Sequence, residues 1–219
     1  KGLADVYSAA VKAHGIKVTT VAAHEDGKAD YSAEVSTLAS AGGDAVAVIG
    51  YLDQGGKGII QGSLDSGAFD TFILSDGMIG DSLTDAFGKS LNKSFGSLPG
   101  STGKGAGVFA KVAGKAGIDP SGPYTGESYD AAALIVLAMQ AGGSADRGSI
   151  AKNVMAVANG PGKKIYPGQL KKALDLLAKG KAVDYEGATG VVFTDVGEHV
   201  GNFLEKEIKG GKFKTKKQR

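Results

Sequence analysis

The chain has 219 residues, 36 of them glycine, with no cysteine or tryptophan and a formal net charge of +2. The glycine has no collagen period and the apolar share of 42% is too high for disorder, so fibrous and unstructured readings fail. Absent cysteine excludes a disulfide scaffold, a thiol nucleophile and a zinc ribbon, while leaving the compartment open.

Charge is unevenly placed. Lys206 to Arg219 carries seven basic side chains and one acid, a local +6 that leaves −4 for residues 1–205. This reads as a solubilising C-terminus. A nucleic-acid tail is disfavoured, because Arg147 and Arg219 are the only arginines and the body is acidic. The longest apolar stretch, Ala131 to Met139, falls far short of the ~20 residues a membrane span needs. The N-terminus shows no charged-then-apolar signal, and a start at Lys1 without Met carries the expectation of processing or truncation.

In chain order, Leu3, Val6, Tyr7, Ala10 and Val11 share one helical face, with Gly15 placed to stop the helix. Val18 to Ala23 predicts a strand, and Tyr31, Val35, Leu38 and Ala39 a second helix closed by Gly42-Gly43. The apolar run Ala45 to Ile49 predicts a strand covered on both faces. Ile59, Ile60 and Leu64 mark a helix ending at Gly67, and Phe72 to Leu74 the next strand. Such short alternation is the pattern of a parallel sheet with crossover helices. The first helix has no strand before it, so the expectation is a βα unit entered halfway, in a chain that is part of something longer.

The second half differs. A Gly- and Ser-rich loop is expected over Gly96 to Gly107, then a helix over Ala106 to Ala116 and a turn at Asp119-Pro120-Ser121-Gly122-Pro123. Asp130 to Ala141 is apolar nearly all round and predicts a helix buried between layers. Further helices are expected at Ile150 to Ala158 and from Pro167, at a first helical position, through Leu177. Three helices in succession break the alternation. Gly190 to Phe213 reads as antiparallel strand material. Boundaries are expected near Pro99 and near Val200.

Catalytic motifs fail on inspection. Gly100-Ser101-Thr102-Gly103-Lys104-Gly105 has Leu98 where a phosphate loop needs its first Gly and Gly105 where it needs Ser or Thr. Gly126-Glu127-Ser128-Tyr129-Asp130 ends in Asp where a nucleophile elbow requires Gly, and nothing in the spacing links Ser128 to His199. The Ser-x-x-Lys pairs at Ser90, Ser101 and Ser149 lack their Lys-Thr-Gly partner. His14, His24 and His199 have no metal-ligand spacing, and Asp26 to Asp30 lacks the calcium-loop register. No enzyme, no metal and no cofactor is expected.

Two strand ends remain. Gly50-Tyr51-Leu52-Asp53 follows one strand and Ser75-Asp76-Gly77 the next, and ligands of parallel α/β sheets bind at such carboxyl ends. An acid beside a tyrosine can hold an ammonium group through a charge-assisted hydrogen bond and a ring face. The alternative is that Asp76 caps the following turn and Tyr51 packs against it.

Asp44-Ala45-Val46 to Gly50-Tyr51, Ser75-Asp76-Gly77, Asp119 to Tyr124, Ser128-Tyr129-Asp130-Ala131 and Gly187-Ala188-Thr189-Gly190 to Gly197 resemble, in order and spacing, the periplasmic solute-binding proteins of branched-chain amino-acid ABC transporters. Lys1-Gly2-Leu3-Ala4 looks like a helix start in that family. The resemblance implies an α/β, two-lobed type I periplasmic-binding-protein fold, parallel sheets flanked by helices, with its first lobe incomplete and the N-terminal part lacking. Residues 1–98 would be the second lobe, 99–199 the returning part of the first, and 200–219 strands returning to the second with a basic tail.

It also implies the substrate-binding component of an ABC importer, a periplasmic monomer with a signal peptide upstream. That component captures a leucine-like, branched-chain or related amino acid in an inter-lobe cleft and delivers it to a membrane permease. The same fold also serves ligand sensing in regulators and receptors. Tyr51 and Asp76 match the family's ammonium-binding tyrosine and acid, with Gly50 and Gly77 beside them. Asp76 is shorter than the Glu of some members.

Overall fold

The computed structural model describes residues 2–101 and 103–218. Lys1 of the expected helix start, Thr102 of the glycine-rich loop and Arg219 of the basic tail lie outside the described residues. The chain divides into two compact units, Lys1–Leu98 with Leu204–Arg219, and Pro99–Phe203.

In the first unit, α1 (Gly2–Ala13) ends where Gly15 takes φ 80°. The amides of Gly15 and Ile16 there close on the carbonyls of Lys12 and Val11, as a left-handed helix stop requires. Next come α2 (Ser32–Ala41), β1 (Val46–Val48), α3 (Lys57–Asp65) and β2 (Phe72–Leu74). The expected alternation is present here. A short 3-10 turn, Asp76–Met78, leads to α4 (Asp81–Phe87), and β3 (Phe95–Pro99) closes this stretch.

β1, β2 and β3 are parallel, with Val48 opposite Leu74 and Leu74 opposite Gly96. After the second unit the chain returns as β6 (Phe203–Lys209) and β7 (Lys212–Gln218), an antiparallel pair, so the sheet order is β1-β2-β3-β6-β7. The apolar faces of these strands and of α3 and α4 bury Val46, Val48, Ile60, Phe72, Leu74, Leu83, Leu91 and Ile208 in one core. Each such side chain contributes roughly 1.5–3 kcal/mol on leaving water.

Two expectations fail in this unit. Val18 to Ala23 is not a strand, because no neighbouring backbone offers it a ladder. The stretch expected as a loop from Gly96 contains the end of β3, and its following helix begins earlier, at Gly103.

The second unit holds α5 (Gly103–Lys115), α6 (Thr125–Gly142), α7 (Arg147–Asn159), β4 (Lys163–Ile165), α8 (Leu170–Leu177) and β5 (Val183–Tyr185). Here too the sequence misled. Two strands interrupt the supposed run of helices, and β4 and β5 pair in parallel. Pro167 lies before α8 rather than at its first position. Leu134, Leu137 and Ala138 of α6 pack with Val157, Ile165, Ala173, Val183 and Tyr185. Ile135 and Val136 on the other side of α6 are exposed, so the helix is not covered all round. The expected hairpin near Val191 is reduced to a single bridge between Phe193 and His199.

Candidate functional site

Parallel pairing of β1 and β2 carries their following turns to one end of the sheet. The Ser75 amide extends the ladder by donating to the Val48 carbonyl at 3.1 Å. The Ser75 hydroxyl stands 3.4 Å from both the amide nitrogen and the carbonyl oxygen of Gly50. Ser75 therefore ties the turn bearing Tyr51 to the turn bearing Asp76.

Tyr51 then anchors its own turn, because its carbonyl accepts from the amides of Gln54 and Gly56. The 3-10 turn of Asp76 is closed by the Met78 amide on the Ser75 carbonyl and the Ile79 amide on the Asp76 carbonyl. Met78 is fully buried against this junction. Gly77 is held so closely that a methyl there would lie 2.5 Å from the Gly50 carbonyl oxygen and 2.9 Å from Tyr51 Cδ1. Only a residue without a side chain lets the two turns meet this tightly.

The four residues singled out from the sequence thus adjoin one another. Tyr51 is 62% exposed, with its ring edge beside Gly77 rather than buried in the core. The half-buried Asp76 carboxylate accepts from the Gly77 amide at 2.9 Å, a bond within its own turn, and makes no helix cap. The rim therefore offers an acid and an accessible aromatic ring, carried by backbone that packing has already fixed.

The catalytic alternatives lose their geometry. Ser128 lies inside α6 on a solvent-facing side, whereas a nucleophile elbow needs a sharp strand-to-helix turn. His199 sits edge-on to Phe193 in the bridged turn. Asp130, which ends the sequence pattern around Ser128, has a different role that sequence reading missed. Asp130 is 3% exposed and accepts from the Tyr185 hydroxyl, the amides of Ala188 and Thr189, and the Thr189 hydroxyl. Burial, with the Asp130 charge alongside, pushes the Tyr185 phenol well above its ordinary value. An acid inside an apolar helix followed by a distant Gly-Ala-Thr-Gly was the available signal. Among the described residues no group of three or more His, Asp or Glu could hold a metal ion. His24 instead meets Tyr31 edge-on.

No family model matches the chain. It is 35% identical over 98 residues to the chemotactic signal transduction system substrate-binding protein BasB of Halobacterium salinarum, a match that spans 44% of this chain and 24% of that protein. Among solved structures, a periplasmic binding protein type 1 from Bordetella pertussis superposes with a TM-score of 0.68 at 20% identity, over 97% of this chain and 56% of that one. The leucine binding protein LivK of Thermotoga maritima gives 0.63 at 20% identity, over 88% and 49%. An ABC transporter substrate-binding protein of Desulfitobacterium hafniense gives 0.54 at 17% identity, over 98% and 56%. The chain therefore has the α/β architecture of type I periplasmic binding proteins, spanning about half the length of those structures and about a quarter of BasB. These neighbours are solute-binding proteins rather than enzymes.

Proposed function

We propose that the chain is the ammonium-binding part of a solute-binding protein for an amino-acid-like ligand, which it delivers to an ABC permease. The observation that carries this reading is the junction of the β1 and β2 turns, where Ser75 and the bare Gly77 hold Tyr51 and Asp76 side by side. Asp76 accepts from the ligand ammonium and the Tyr51 ring supplies a cation-attracting face. Gly77, with Gly50 at the contact, lets the two turns close on each other so that both side chains reach the same rim. A charge-assisted bond of this kind contributes ~1.5–3 kcal/mol. The α-carboxylate is left to donors outside this rim, in the remainder of the whole protein. Residues 1–98 with the C-terminal strands correspond in this reading to the second lobe, and 99–199 to the returning part of the first. The protein works outside the cytoplasm as a monomer, and no helix among the described residues is long and apolar enough to cross a membrane.

Isothermal titration of the whole protein with a panel of amino acids tests the reading. One or more should bind, and Asp76→Ala should abolish that binding; retained affinity in the variant would remove Asp76 from the site. A second reading, ligand sensing for a receptor, is favoured by the name of BasB, a chemotactic signal transduction protein. Co-purification of the liganded protein with a permease or with a transducer separates the two.

A further inference from the structure

The loop leading into α2 is fixed by one tyrosine. The Tyr31 hydroxyl donates to the Glu25 carbonyl at 3.2 Å and accepts from the Lys28 amide at 3.0 Å. Tyr31 packs so closely at the start of α3 that a methyl on Gly55 would lie 2.5 Å from its hydroxyl, and one on Gly58 2.7 Å from its ring. Half-buried His24 opens this loop, its ring edge-on to Tyr31. His24 Nδ1 lies 3.4 Å from the Glu25 carbonyl oxygen. A carbonyl only accepts, so Nδ1 carries the proton and Nε2 keeps its lone pair. Nε2 makes no hydrogen bond among the described residues and lies 3.2 Å from where a side chain on Gly50 would begin. Gly50 is the residue that Ser75 and Gly77 also meet, at its amide and carbonyl. The imidazole and the Asp76 turn thus converge on one glycine from two stretches of chain.

We propose that His24 Nε2 accepts a hydrogen bond from the ligand's side chain, so that the rim selects an amino acid bearing a hydroxyl or amide over an aliphatic one of the same shape. This rests on the reading of Tyr51 and Asp76 as the ammonium site and extends it to the side chain. In that reading the ammonium is taken by Asp76, and a carboxylate has no proton to give a neutral imidazole. The group of an amino acid left for an acceptor beside Gly50 is its side chain. Gly50 itself carries no side chain to meet the lone pair. An aliphatic ligand would cover Nε2 without pairing it, and a site that loses a partner in this way discriminates against the analogue that lacks the donor.

Calorimetry on the whole protein with isosteric pairs, threonine against valine and asparagine against leucine, tests the inference. In at least one pair the polar member should bind ~10-fold tighter or more. His24→Leu should bring that ratio close to one while the aliphatic member still binds, and His24→Gln, which keeps a side-chain acceptor, should restore part of it. Mere loosening of the loop would weaken both members alike; an unchanged ratio in His24→Leu would overturn the inference, as would no polar preference in the parent. Should His24→Leu fail to fold, the nitrogen NMR resonance of His24 Nε2, assigned by its loss in His24→Gln, decides instead: the polar member should move it and the aliphatic one should not. Binding that Asp76→Ala abolishes but His24→Leu leaves equally selective would remove His24 alone. Binding that survives Asp76→Ala, or no binding of any amino acid, would remove the ammonium reading and this inference with it.

Discussion

Asp130 takes both the amide and the hydroxyl of Thr189 at 2.8 Å, joining the middle of α6 to a turn 59 residues further along the chain. With Tyr185 and Ala188 as additional donors, this buried carboxylate is satisfied by neutral groups alone. Asp130→Ala should leave those neutral donors without an acceptor, at about 1–3 kcal/mol for each one that stays buried and unpaired. Asp130→Asn, which sets an NH2 against donors, should also destabilise. Urea unfolding of both variants gives the two values.

Tyr185 makes stability depend on alkaline pH. Its phenol titrates above the ordinary 10.0 when folded, so its contribution is complete below that value. As pH rises past the unfolded pKa, the unfolded chain ionises while the folded one stays neutral, and stability falls. The loss is about 1.4 kcal/mol per pH unit in this range. Thermal denaturation between neutral pH and pH 11 should show Tyr185→Phe with a shallower decline than the parent.

Gly77→Ala tests the packing of the rim. Its methyl would meet the Gly50 carbonyl and the Tyr51 ring, so the two turns must part, at a cost of about 1–3 kcal/mol. Ligand affinity should fall with stability in this variant. Tyr51→Ala should separate the two effects: because the ring is largely exposed, melting should shift little while ligand binding weakens. Melting curves beside titrations decide both cases.

Asn159 clasps the backbone of Phe193, donating to its carbonyl and accepting from its amide, each at 2.8 Å. Asn159→Ala should cost about 1–2 kcal/mol. Faster amide exchange at Phe193 and at Val200, which bonds back to Val192, would show the turn loosening.

How far the sequence spoke for the structure depended on how local each signal was. The helix stop at Gly15 and the buried strands at Val46 and Phe72 are set by neighbours along the chain, and they stood where periodicity placed them. β4 and β5 were missed because Lys163, Lys164 and Asp184 dilute the apolar signal of three-residue strands. Val18 to Ala23 failed for the opposite reason: its composition is that of a strand, but strand formation needs a partner backbone. At the rim, the adjacency of Tyr51 and Asp76 was legible from two consecutive strand ends. The hydroxyl of Ser75 between them was not, since its partner lies 25 residues away.

The C-terminal hairpin changes what its lysines mean. Glu205 and Glu207 on β6 stand opposite Lys217 and Lys214 on β7, and Lys216 also approaches Glu205 at 3.5 Å. Two cross-strand pairs of opposite sign, on either side of the register shift between Glu205 and Lys206, favour the alignment, while Lys209 faces Lys212 at the turn end. Sliding β7 by two residues would set Glu207 against Lys212 or Lys216 but would strip Ile208 of Phe213. The apolar pair selects the register and the ion pairs tolerate it, so the paired lysines act as a zipper's teeth and the aromatic ring as its stop.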